Sequence, residues 1–166
     1  MAKALFITTA DLKKFTVVNG NLDPDKFTQF ILVAQETHIQ NFLGSDLYEK
    51  IEADIIAGTL TGDYATLVSD YLKPMLIQYA LLEYLPFAAY TVANKGVFKH
   101  TSEASEGVSK TEIDYLVEKT RDIAEHYTER FIQYICNNST LFPEYNTNSN
   151  GDMYPSTKNN FSGWYI

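Results

Sequence analysis

Apolar residues recur every three to four positions along most of residues 1–138, which is the spacing of one face of an α-helix. One helix is predicted to begin at Asp23-Pro24, because aspartate accepts unpaired N–H groups and proline fits the first turn, and to end at Gly44. Ser45 is predicted to cap a second helix that ends at Gly58, and a third covers residues 64–72. The predicted fold class is all-α, a bundle of about four to five helices.

Residues 74–93 are the most apolar stretch of the chain, and only Gln78 and Glu83 are strongly polar along it. A helix that is apolar on nearly every side is buried in a bundle, lies in an oligomer interface or crosses a membrane. Glu83 near the middle and Pro86 argue against a membrane span, since an unpaired carboxylate in the bilayer costs several kcal/mol. The sequence therefore favours a helix buried in a bundle or an interface, with the span as an alternative.

Residues 97–108 are polar and are predicted to form a loop or a hairpin. Ser109 and Glu112 have the spacing of a capping box, so the longest helix is predicted to begin there and to run to about Asn137. Its predicted core stripe is Ile113, Leu116, Val117, Ile123, Ala124, Tyr127, Phe131 and Ile135.

The chain changes character after residue 138, where Asn, Ser, Pro and Gly dominate and no helical period remains. Polar tails of this kind are usually disordered, yet this one carries aromatic residues along its length that could anchor an extended segment. The chain's own bundle, a neighbouring subunit or another protein could hold it, and an intermolecular partner is favoured. We therefore divide the chain into a helical domain, 1–138, and an extended interaction tail, 139–166. The residues predicted to bind a partner are Phe142, Tyr145, Tyr154, Phe161, Trp164 and Ile166.

Charge limits the kinds of partner. The 166 residues contain 13 Lys and Arg against 21 Asp and Glu, a formal net charge of −8. A surface of that sign repels phosphate, and no run of basic residues opposes it, so sequence-independent binding of nucleic acid is not expected. The single cysteine, Cys136, lies in an apolar helical stretch and is predicted to be a buried thiol. The apolar patch at the start is too short for a signal peptide, so secretion is not expected.

No catalytic or metal site is recognisable in the sequence. His38 follows the apolar face of its helix and is predicted to be a core histidine, while His126 lies between Asp122 and Arg130 in a row of solvated charges. The sequence contains neither metal-binding spacings of His and Cys nor a nucleophile elbow or a glycine-rich phosphate loop. We predict no cofactor and no enzymatic activity; an unfamiliar site around His126, Asp122 and Glu125 is the enzyme alternative.

Several runs of the sequence resemble a known family. They are LGSDLYEKI, LTGDY, KPMLIQYALLEYLPFAAYTVANKGVFKH, CNNSTLFPEYN and NFSGW, and they extend over nearly the whole chain. They are similar to small head–tail connector proteins of crAss-like Bacteroides phages, which form the adaptor ring below the portal.

The resemblance implies a helical adaptor of the virion neck, assembled in the host cytoplasm, with about twelve copies closed into a ring. Its implied partners are the portal protein above and further neck and tail proteins below, and DNA passes through the channel without sequence-specific binding. Many adaptors end in a helix that docks on the portal, whereas this chain ends in an irregular tail, so the segment that meets the portal stays open. A stopper or tail-completion protein is the nearest alternative, and a membrane-active phage protein with a span at 74–93 is a more distant one.

Overall fold

A computed structural model describes residues 3–18, 25–88, 90–93, 96–99 and 109–158. The α-helices are α1 (Thr9–Phe15), α2 (Asp25–Ala34), α3 (Gln40–Leu43), α4 (Ser45–Ala57), α5 (Gly62–Thr66), α6 (Lys73–Tyr84) and α7 (Lys110–Asn137). Two π-helical stretches, Gln35–Ile39 and Leu67–Leu72, join α2 to α3 and α5 to α6. Short 3₁₀ turns cover Leu85–Phe87, Ser139–Leu141 and Pro143–Asn146, and strands β1 (Tyr90–Ala93) and β2 (Gly96–Lys99) pair antiparallel.

The architecture is an all-α bundle, as predicted. The backbone keeps right-handed helical angles where the π-helical stretches meet their neighbours, so residues 25–43 and 62–84 form two continuous helices. With α1, α4 and α7 they make five helices in the described part of the chain. The predicted helix end at Gly58 is confirmed, because Gly58 adopts the left-handed conformation that ends a helix. The predicted start at Asp23-Pro24 lies outside the described residues.

Helix α6 is the central element of the bundle and packs mainly against α2 and α7. A helix without a polar, solvent-facing side must be covered on several sides. Other helices of the same chain cover α6. Its buried residues are Met75, Leu76, Ile77, Tyr79, Ala80, Leu81 and Leu82. Burial in a bundle, one of the predicted possibilities, is therefore confirmed for the part of the segment in α6, whereas Phe87 beyond it is 56% exposed.

The helical prediction fails at the end of this segment. Helix α6 ends at Tyr84, a 3₁₀ turn containing Pro86 follows, and Tyr90–Ala93 is a strand, so residues 74–93 do not form one helix. Proline lacks the N–H that a helix interior needs, which explains the break. No helix among the described residues is long and apolar enough to cross a membrane. Strand β1 pairs with β2, which contains residues 97–99, and residues 100–108 of the predicted loop or hairpin lie outside the described part.

Helix α7 begins with the predicted capping box. The Ser109 side chain accepts from the Glu112 N–H, and the Glu112 carboxylate accepts from the Ser109 N–H at 2.8 Å. The predicted core stripe is only partly right, because Leu116 and Ile123 are exposed while Thr120 and Thr128 are buried. The buried face of α7 therefore includes two threonines, and the spacing of apolar residues alone does not predict this.

Cys136 is exposed, so its predicted burial is wrong. Ile135 beside it is fully buried against the core. Successive helical residues point about 100° apart, so the neighbour of a core residue readily faces solvent.

His38 lies beside the core, with about an eighth of its side chain exposed. Its ring stacks on Tyr79 with 4.0 Å between centroids, and Nε2 lies 2.9 Å from the Glu83 carboxylate. The one strongly acidic residue of the apolar segment therefore has a partner within the bundle. This agrees with the prediction of a satisfied histidine at the core.

Thr128 tests how a buried polar pair contributes to stability. Its hydroxyl donates to the Ala124 carbonyl at 2.9 Å, so the buried Tyr79 hydroxyl, 3.0 Å away, donates to Thr128. Thr128→Val keeps the shape but leaves the Tyr79 hydroxyl unpaired, and we expect a loss of about 1–3 kcal/mol in the free energy of unfolding by urea titration. Thr120→Val is the control, since that hydroxyl donates to a carbonyl of its own helix, and its effect should be smaller. Equal losses at the two positions would contradict the assignment.

Candidate partner-binding site at the C-terminal segment

The chain leaves α7 through two 3₁₀ turns that bring aromatic side chains back onto the bundle. Phe142 is fully buried and Tyr145 nearly so. The Phe142 ring lies edge-on to Tyr64 at 5.3 Å between centroids and also faces Tyr134 at 6.2 Å. The Tyr64 hydroxyl donates to the Glu144 carboxylate at 2.6 Å. These contacts join the segment after α7 to the helix that contains α5 and α6.

Two of the predicted partner-binding residues therefore belong to the core of the chain itself. Phe142 and Tyr145 pack in the same apolar cluster as α4 and α7, so the prediction that they bind a partner is corrected. Burial raises the pKa of Tyr145 to about 12. Its hydroxyl has no hydrogen-bond partner within the described residues. The rings of Phe142 and Tyr145 complete the apolar core that the helices form, which is why they face inward.

Residues 147–158, which we call the C-terminal strap, lie against the N-terminus of α4. The Asp46 carboxylate accepts from the Thr147 hydroxyl at 2.7 Å, and from the Ser149 N–H at 2.9 Å and hydroxyl at 2.8 Å. These donors hold the pKa of Asp46 below its ordinary value of 3.8. A carboxylate in the first helical turn is also favoured by the helix dipole.

Ser45 holds the strap through both its backbone and its side chain. Its N–H donates to the Met153 carbonyl at 3.0 Å, and its hydroxyl donates to Asp152 at 2.6 Å and accepts from the Met153 N–H at 3.2 Å. The predicted capping role of Ser45 is therefore wrong, because Gly44 is the capping residue and makes no side-chain bond. The serine hydroxyl is used by the strap instead.

The far end of the strap satisfies a carbonyl that the preceding helix leaves open. Ser156 N–H donates to the Asn41 carbonyl at 2.9 Å, near the end of α3, where carbonyls lack intrahelical partners. Pro155 packs directly over Gly44, whose φ is +73°. The strap is thus fixed at three places: Asp46, Ser45 and the end of α3.

Asp46→Asn tests the electrostatic part of this attachment. The folded-state pKa of Asp46 is depressed, so its stabilising effect is complete above the unfolded value and is lost as the pH falls through the folded value. We expect Asp46→Asn to be less stable than wild type at neutral pH and the difference to shrink below pH 3.8 in urea titrations. Asp114→Asn, exposed on α7, is the control. A difference that stays constant with pH would contradict the role of the Asp46 charge.

The predicted partner-binding residues separate into three groups. Phe142 and Tyr145 are core residues, whereas Tyr154 in the strap keeps 67% of its surface exposed. Phe161, Trp164 and Ile166 lie outside the described residues, and their predicted role stays a prediction. Sequence reasoning missed Ser45 and Asp46 as the attachment point, because their sequence context indicates only a helix start.

No group of three or more His, Cys, Asp or Glu side chains among the described residues could hold a metal ion. In the alternative enzyme site, His126 is exposed and Asp122 pairs with Lys119 at 3.9 Å, with both side chains more than half exposed. This is the geometry of a solvated helix face, which salt bridges of this kind stabilise only weakly.

Comparison with known proteins places the sequence in a family. Residues 39–155 match DUF6712, a family of unknown function. The chain belongs to the DUF6712 family. No curated protein and no solved structure matches it. The DUF6712 match contains both sides of the strap attachment, Ser45-Asp46 and residues 147–155, so the attachment lies within the family's region.

Proposed function

We propose that this DUF6712 protein is a structural subunit of a phage neck, an adaptor ring that joins the portal to the tail and lines part of the DNA channel. The observation that carries the proposal is the resemblance of the runs at 73–100 and 136–166 to connector proteins of crAss-like phages. The proposal places the protein in the virion and assigns it no enzymatic activity.

One structural observation and one property of the sequence support this proposal. The C-terminal strap is held to α4 while Tyr154 stays exposed, so the chain presents an aromatic side chain from a fixed base. Rigid aromatic residues are frequent anchors of protein interfaces. The net charge of −8 also suits a channel wall along which DNA slides without being bound.

Native mass spectrometry of the purified protein, alone and mixed with the portal of its phage, tests this proposal. We expect a closed ring that matches the symmetry of the portal, alone or after mixing. A monomer that ignores the portal would contradict the adaptor function. A ring that binds a lower neck protein but not the portal would favour a stopper or tail-completion protein instead.

A shortened chain tests which part of the tail binds a partner. Ending the chain after Lys158 keeps the strap contacts with Asp46, Ser45 and α3, so thermal unfolding should be nearly unchanged. We expect this chain to lose assembly on the portal if Phe161, Trp164 and Ile166 are contact residues. Full assembly of the shortened chain would assign the contact to other surfaces.

A further inference from the structure

A groove between α1, α6 and α7 is basic although the chain as a whole is acidic. Lys14, Lys73 and Arg130 line it with one carboxylate, Asp11, and Ile77 lies in its floor. Lys73 lies 4.0 Å from Asp11, and the Arg130 guanidinium stacks over Tyr71 at 4.9 Å. Phe15 at the rim keeps 58% of its surface exposed. We call these residues the basic groove.

A second groove has the opposite charge. Glu36, Glu49 and Glu52 line it with one cation, Lys3, along the first π-helical stretch and α4. Ile56 at its edge is 55% exposed, and Ala53 is exposed as well. We call these residues the acidic groove. The two grooves are of similar size, about 640 and 670 Å³.

The fold determines how the acidic groove is built. Buried Gln35 accepts from the Phe6 N–H and donates to the Ala4 carbonyl, both at 2.8 Å, so the N-terminal segment is fixed beside α4. The Ala4 N–H then donates to Glu52 at 3.1 Å, and Lys3 pairs with Glu36. Glu36 and Glu52 are thus held by the N-terminal segment, while Glu49, exposed on α4, accepts a long hydrogen bond of 3.5 Å from the Asn150 side-chain amide.

Each groove combines three charges of one sign, one of the other sign and an exposed apolar side chain. Phe15 and Ile56 supply the apolar part, and charged residues at the edge are typical of the rim of a protein interface. Within the described part of the chain, no helix contributes residues to both grooves. A head-to-tail contact requires two different complementary surfaces on each copy, and this pair meets that requirement.

We infer that the basic groove of one copy binds the acidic groove of the next copy, so that the pair forms the subunit interface of a head-to-tail assembly. Copies with a net charge of −8 repel one another on average, so a local region of opposite sign determines where they meet. This inference rests on the proposed function only in identifying the assembly as the neck ring. The interface itself requires only self-association.

Zero-length carbodiimide crosslinking of the full chain is the first test. Equal amounts of unlabelled and ¹⁵N-labelled protein distinguish links between copies from links within one copy. We expect mixed-isotope links that join Lys14 or Lys73 to Glu49 or Glu52, with the portal absent or present. The inference is overturned if links between copies map to other surfaces, or if no such links form in either condition.

Charge-swap complementation is the second test. The groove variant carries Lys14→Glu and Arg130→Glu, and the partner variant carries Glu49→Lys and Ala53→Lys, all at exposed positions. Each variant alone should lose at least about tenfold in self-association because like charges then face each other. An equimolar mixture should regain association in assemblies with an even number of copies. Lys110→Glu with Lys119→Glu, exposed on α7, is the matched control and should assemble like wild type.

These outcomes separate the interface from the proposed function. A groove variant that folds, by circular dichroism, and assembles normally overturns the interface and leaves the adaptor function standing. Crosslinks at the expected positions in a protein that ignores the portal support the interface and contradict the adaptor function. A groove variant that loses portal binding but keeps self-association assigns the basic groove to the portal and overturns the inference.

Discussion

Replacing Phe142 with alanine is expected to lower the free energy of unfolding by about 3–5 kcal/mol, a large part of the stability of a domain this size. The ring is fully buried and contacts the Tyr64 and Tyr134 rings, so its removal loses apolar burial and leaves a cavity. Urea unfolding followed by circular dichroism measures the change. The effect is large because the segment after α7 fills the core and does not merely lie on it.

Leu141→Ala is the matched control for this prediction. Leu141 precedes Phe142 in the same turn but is 42% exposed, so its loss should cost less than about 1 kcal/mol. Two small and equal effects would show that the segment is dispensable, and the original division at residue 138 would then stand. A large loss at Phe142 alone assigns residues 139–146 to the core.

Replacing Gly44 with alanine is expected to detach the C-terminal strap. Gly44 has φ +73° and ψ +162°, a region that is essentially restricted to glycine and costs other residues about 1–3 kcal/mol. An added Cβ would also lie 2.7 Å from Cδ and 3.0 Å from the backbone N of Pro155, so the strap must move. Together these effects should cost roughly 2–5 kcal/mol.

Hydrogen exchange measures where that energy is lost. The Ser45 and Ser156 amides, which donate to the Met153 and Asn41 carbonyls, should exchange faster in Gly44→Ala, because both bonds depend on the strap. Gly58→Ala is the control, since Gly58 has φ +67° but an added Cβ meets nothing within 4 Å. It should cost about 1–2 kcal/mol and leave the strap amides protected. Unchanged exchange at Ser45 and Ser156 in Gly44→Ala would contradict the attachment.

The attached strap fixes the C-terminal part of the chain to the bundle as far as residue 158. Residues 139–146 complete the core and residues 147–158 are tied to α4, so the residues beyond 158 start from a fixed point on the bundle. A contact segment that starts from a fixed base loses less conformational entropy on binding than one on a free tail. Residues 139–158 therefore stabilise the fold, and the partner-binding role of Phe161, Trp164 and Ile166 stays a prediction.

The sequence predicted those features that depend on residues close together along the chain. The capping box of Ser109 and Glu112 needs two side chains three positions apart, and the helix end at Gly58 needs one residue without a Cβ. The apolar surface of α6 indicated burial on several sides, because a helix without a polar face is unstable in water. The all-α class and most helix positions follow from these local rules, while the predicted helix over 74–93 is broken after Tyr84.

Only the tertiary structure decided which distant groups meet. Asp46 and Ser149 are 103 residues apart along the chain, and no local pattern links them. The inward turn of Phe142 and the exposure of Leu116 depend on competition for a limited core, which spacing within one segment does not reveal. The Ser45 hydroxyl could either cap α4 or bind another segment, and in the folded chain it donates to Asp152 of the strap. The sequence by itself determined most of the helices, whereas packing determined which side chains are buried and which stay exposed.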